Sequence, residues 1–101
     1  MNIKRAFQKT ISEIREDWRI ERNTPQGEYP KAMMTSLQEE RHTATVNCGA
    51  DHCSFSRELA DRVMKDERFQ KFLTDAGAKA VKEDVWRGSC HGYQVRISFP
   101  G

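Results

Sequence analysis

The sequence predicts an α+β fold in which a small three-stranded sheet, in spatial order 1-3-2, is covered on one face by helices. Three observations lead there. Apolar residues recur at helical spacing near the start of the chain, a second helical stretch carries two apolar sets that point apart, and separate segments switch to an alternating, strand-like pattern. With 101 residues there is room for one ordinary core, so a single domain is expected over 1–101. Ile, Leu, Val and Phe make up just under a fifth of the chain, so Met, Trp and Tyr must join that core.

Ile3, Ala6, Phe7, Ile11, Ile14 and Trp18 fall on one arc when wound at about 100° per residue, which predicts a helix from Ile3 to Trp18. Asn23-Thr24-Pro25-Gln26-Gly27 collects turn formers and should end it. From Pro30, the run Lys31 to Glu40 is rich in helix formers with proline at the first position, and a short helix is expected there. Thr43 to Cys48 changes to period two, with Ala44, Val46 and Cys48 on one side. Ser56 is placed to cap a helix bearing Leu59, Ala60, Val63 and Met64. The next apolar set, Phe69, Phe72, Leu73 and Ala76, points the other way, so the helix should break near Lys65-Asp66 and restart with Asp66 as its cap.

Gly77 supplies the C-terminal stop. Val81 to Trp86 and Tyr93 to Phe99 read as strands joined by a loop over Arg87 to Gly92. In the last strand Tyr93, Val95, Ile97 and Phe99 share one face, and Gln94, Arg96 and Ser98 the other. A strand-helix-strand crossover makes the first two strands parallel, and the last slots between them, antiparallel to both.

Seventeen basic and fifteen acidic residues leave a net charge of +2, and the sequence pI is near 8.5. Acids are interleaved with bases in Arg15-Glu16-Asp17, Glu39-Glu40-Arg41 and Lys65-Asp66-Glu67-Arg68, which describes a solvated surface of alternating sign rather than a phosphate-tracking stripe. No run approaches the roughly 20 apolar residues of a membrane span, and Met1 to Phe7 lacks the apolar core of an export signal. No membrane partner is expected, and a cytoplasmic location is. Three cysteines, an odd number, argue for reduced thiols rather than a disulfide framework.

All three cysteines and two of the three histidines lie in two windows, Asn47 to Cys53 and Gly88 to Gly92. With the first two strands parallel, both windows fall at one end of the sheet, beside the start of a helix whose N-terminus favours a thiolate. Zinc could take Cys48, Cys53 or His52, Cys90 and His91, although C-x4-C is a loose spacing and adjacent Cys90 and His91 rarely reach one ion together. A Cys53 or Cys90 nucleophile with His91 or His52 as base is the catalytic alternative. Against both stands packing: Cys48 shares the parity of buried Ala44 and Val46, and the histidines can be turn residues.

None of the defining residues of phosphate loops, dinucleotide folds, zinc fingers, RNA-binding modules or hydrolases is present. The expected function is therefore a small non-enzymatic protein-binding domain, a regulator or inhibitor that docks on another protein or self-associates, with no required cofactor. Its apolar contacts are expected at Met33, Met34 and Trp86. The alternative is a nucleic-acid-binding module using Arg87 and Arg96 near Tyr93 together with the helix N-terminus at the Cys/His edge, where zinc could stabilise it.

Overall fold

A computed structural model describes residues 2–21, 34–48 and 53–101. In chain order it contains α1 (Ile3–Glu21), β1 (Met34–Gln38), a 3-10 turn (Glu39–Arg41), β2 (Thr43–Asn47), α2 (Cys53–Lys65), α3 (Glu67–Ala76), β3 (Lys79–Arg87) and β4 (Cys90–Ser98). The amphipathic stripe forms α1 as expected: Phe7, Ile11, Ile14 and Trp18 are buried along it.

The break between α2 and α3 falls at Asp66, whose extended backbone and side chain, accepting from the Arg68 N–H at 2.8 Å, make it an N-cap. Splitting the helix there lets both apolar sets reach one core. Leu59, Ala60 and Val63 of α2 pack with Phe69, Phe72 and Leu73 of α3. Phe72 contacts the rings of Phe7, Phe69 and Phe99 at centroid distances of 5.8, 6.5 and 6.2 Å. Gly77 closes α3 in the left-handed region at φ 64°, donating to the Leu73 and Thr74 carbonyls. Arg68 of α3 ties α3 to α1 through Asp17 at 2.7 Å, and Arg62 of α2 reaches Glu21 at the end of α1 at 2.6 Å.

The sheet has four antiparallel-paired strands in the order β1-β2-β4-β3. The three expected strands keep their expected relation, with the last one between the other two. The fourth strand is a correction. The segment expected to be a short helix over Lys31 to Glu40 is, in its described part, strand β1 followed by the 3-10 turn; residues 31–33 lie outside the described residues. Helix propensity differs by only tenths of a kcal/mol per residue. Pairing Thr35 with Val46 and Leu37 with Ala44 instead extends the sheet and packs Leu37 against the core.

Ser56 also departs from expectation. It does not cap α2, which already begins at Cys53, but sits fully buried in its first turn and accepts the Tyr93 backbone N–H at 2.7 Å. The third difference is the β3–β4 connection, where the expected six-residue loop contracts to two residues, Gly88 and Ser89. Gly88 has φ 60° while Ser89 stays at negative φ, the pattern of a type II′ hairpin that matches the twist of its strands.

Ala44, Val46, Cys48, Val95 and Ile97 form the helix-covered face of the sheet and are at most 1% exposed. Arg96 and Ser98 alternate with them and are exposed on the other face. Among the described residues no helix is long and apolar enough to cross a membrane.

Candidate functional site

The tight hairpin decides which side chains meet. Because Arg87 pairs with Cys90, Trp86 lies opposite His91 and Asp84 opposite Tyr93. Counting back from buried Val95 and Ile97 by twos, Tyr93 and His91 take the helix-covered face, and so do their partners Asp84 and Trp86. At this end the helices no longer cover the strands fully, and an aromatic ladder replaces the core. The Trp86 and His91 rings stack with centroids 4.6 Å apart and planes 13° from parallel. His91 in turn leans on Tyr93 at 4.8 Å.

Polar groups hold the ladder. The His91 Nε2 lies 2.9 Å from Asp84 Oδ1, and Lys82 Nζ sits 5.4 Å from the Tyr93 ring centroid while donating to Asp61 of α2 at 2.7 Å. That Lys82 contact and a smaller contribution from nearby cations hold the Asp61 carboxyl below its ordinary range. Below the ladder, the Tyr93 carbonyl accepts from the Cys48 N–H at 3.1 Å. The Tyr93 N–H has passed the end of β2, and Ser56 Oγ satisfies it. The outcome is a corner held by these contacts, whose outermost ring, Trp86, is 65% exposed.

The expected site residues are distributed as follows. Trp86 and His91 belong to the ladder. Arg96 is not near Tyr93: it lies on the opposite face, with Nε 2.6 Å from Glu83 Oε1. Arg87 ends β3, and its side chain lies outside the described residues. Met33 and the Met34 side chain also lie outside them, but the backbone puts Met34 in β1, at the far edge of the sheet from β3. A single apolar patch joining Met34 to Trp86 is therefore not formed; β2 and β4 separate their strands.

Cys48 and Cys90 come to the same end of the sheet, as the topology requires, but by strand alternation they take opposite faces. Cys48 is 1% exposed, and burial pushes its thiol up to about 12, which makes it a packing residue rather than a nucleophile at neutral pH. Cys90 and His91 are neighbours in a strand, not in a loop, and so also point to opposite faces. His52 and the Cys53 side chain lie outside the described residues. Among the described residues no group of three His, Cys, Asp or Glu side chains is placed to hold a metal ion.

Asp84, Lys82 and Ser56 are the participants that sequence reasoning missed. The available signal was Gly88-Ser89, since a two-residue turn at that point sets the register that puts Trp86 beside His91. No protein-family model, curated protein or solved structure matches this chain.

Proposed function

We propose that this is a small protein-binding domain, a regulator or inhibitor rather than an enzyme, whose contact surface is centred on Trp86 at the β3 edge. One observation carries the reading: a tryptophan that is 65% exposed yet held flat against His91. An exposed indole without support is entropically costly to order on binding. One already stacked loses little freedom and still offers its outer face, which is how aromatic residues become anchors in protein interfaces. Val81, 46% exposed, lies on the same edge strand but on its opposite face. No cofactor is needed for this role, and Cys48 and Cys90, neither of them disulfide-bonded, suit a reducing, cytoplasmic setting.

The second reading, a nucleic-acid-binding module, draws on the same ladder, because bases stack on aromatic platforms. The surrounding charge argues against it. Asp84 stands beside the stack, Lys82 is engaged by Asp61, and Arg96 is engaged by Glu83, so these described side chains offer little attraction for phosphate.

The test is a photo-crosslinking amino acid at position 86. Irradiation should yield a discrete protein adduct, and the same group at exposed Lys71 on α3 should not. Adducts to nucleic acid, with binding that falls steeply as salt rises, would reverse the order of the two readings. No adduct of either kind would refute both.

A further inference from the structure

We propose that the partner of the β3 edge is a second copy of this chain: two β3 strands pair antiparallel across a two-fold axis at Glu83 and join two sheets into one. The proposal rests on the reading of this edge as a protein-contact surface and names its occupant.

β3 is an edge strand, and no described strand pairs with its outer side. With the hairpin closed by two residues and Arg87 opposite Cys90, residues 81, 83, 85 and 87 turn their backbone groups toward β4. Residues 80, 82, 84 and 86 turn theirs outward. A two-fold axis perpendicular to the sheet keeps like faces together and matches outward groups with outward groups only if the register moves in steps of two.

Among such registers, the one centred on Glu83 overlaps all of Lys79–Arg87, with about eight backbone hydrogen bonds across the axis. It puts Lys82, whose ammonium spends one of its three donors on Asp61, opposite Asp84 of the second copy, twice by symmetry. A shift of one step places Lys82 against Lys82, and a shift the other way places Asp84 against Asp84; both shorten the overlap. Full overlap and charge complementarity thus select the same register. Asp84 has the room for a cationic partner besides its contact with His91, since its side chain is 66% exposed.

The apolar side chains agree. On the helix-covered face Trp86 falls opposite Ala80 of the second copy, so the largest side chain of the strand meets the smallest. On the other face Val81 meets Val85, in a pair without backbone hydrogen bonds, where side chains approach closest. Two of the large exposed hydrophobic residues of the described chain, Val81 and Trp86, are covered together. Glu83 meets its own copy at the axis, but each Glu83 is already accompanied by Arg96 at 2.6 Å. Charged residues on an edge strand usually deter indiscriminate pairing; here Lys82 and Asp84 set like charges against each other in the two registers adjacent to the matched one, and more distant registers lose overlap. A single strand pair is a small interface, at the low end of the range below about 1,200 Å², so the dimer is reversible and depends on concentration.

Sedimentation equilibrium from about 1 µM to about 1 mM tests this directly. The intact chain should pass from monomer to dimer. Asp84→Lys, which sets lysine against lysine twice, should weaken association about tenfold or more, and adding Lys82→Asp to it should restore association by reversing each pair. Circular dichroism checks that both variants fold. As an independent readout on the unaltered protein, the outward amides of Lys82, Asp84 and Trp86 should gain exchange protection as concentration rises, while the already paired amides of Glu83 and Val85 should not. A strict monomer throughout the range, or a double variant no better than Asp84→Lys, overturns the proposal. A strict monomer that still yields a protein adduct at position 86 overturns only the identity of the partner, whereas the absence of any adduct removes the underlying reading.

Discussion

Replacing Asp66 by alanine removes the cap that divides α2 from α3, and its cost follows from two contacts. The carboxylate accepts from the Arg68 N–H at 2.8 Å, which satisfies a helix-end donor; losing such a cap costs about 1 kcal/mol. It also pairs with the Arg68 guanidinium at 2.9 Å, and the same guanidinium reaches Asp17 on α1 at 2.7 Å. A partly exposed pair of this kind adds about 0.5 kcal/mol. Asp66→Ala should therefore lose about 1.5 kcal/mol, which lowers the urea midpoint by about 1 M for a domain of this size. Asp66→Asn keeps an oxygen to accept from Arg68 and should lose only the ionic share, about 0.5 kcal/mol.

The pH dependence adds a second check on the same residue. Hydrogen bonding from the Arg68 side chain, opposed in part by burial, holds the Asp66 carboxyl below its ordinary value. A depressed folded-state value means the ionic stabilisation is complete above the unfolded value of about 3.9 and is lost as pH falls through the lower folded value. The gap between the unaltered protein and Asp66→Asn should be constant near neutrality and close in acid. An Asp66→Ala midpoint within error of the unaltered protein, or an asparagine variant as unstable as the alanine one, would refute the cap as the reason the helix divides.

Two further measurements probe the site from below. Ser56→Ala removes the fully buried acceptor of the part-buried Tyr93 N–H, so stability should fall by about 1 kcal/mol or more; an unchanged melting temperature would show that another acceptor takes over. Cys48, whose thiol burial raises to about 12, should resist a disulfide-exchange reagent at mildly alkaline pH and react only on unfolding, and rapid labelling of Cys48 in the folded protein would contradict its placement in the core.

Much of the fold was legible because its signals are local. The arc from Phe7 to Trp18 lies within one helix, Asp66 caps three residues ahead of Phe69, and the alternation of Tyr93, Val95 and Ile97 lies within one strand. Cys48 could be assigned to packing from its parity with Ala44 and Val46 alone, and it is buried with them. In each case the deciding interaction joins residues a few positions apart, so a short window of sequence contains both partners.

The tertiary structure decided what depends on distant partners. Thr35 and Leu37 have no strong local preference against a helix; it is the ladder to Val46 and Ala44 that makes β1 a strand. Ser56 reads as a cap until Tyr93, far along the chain, presents an N–H that β2 is too short to satisfy. The site depends most on such long-range facts. Shortening the hairpin from six residues to two slides the pairing by two residues, so that His91 rather than Tyr93 stands opposite Trp86, Asp84 comes within reach of His91, and Cys90 becomes part of the strand on the face away from Cys48. Periodicity tells which residues of a strand share a face, but only pairing tells which face of the sheet that is and who stands opposite, because register is set by contacts across the ladder.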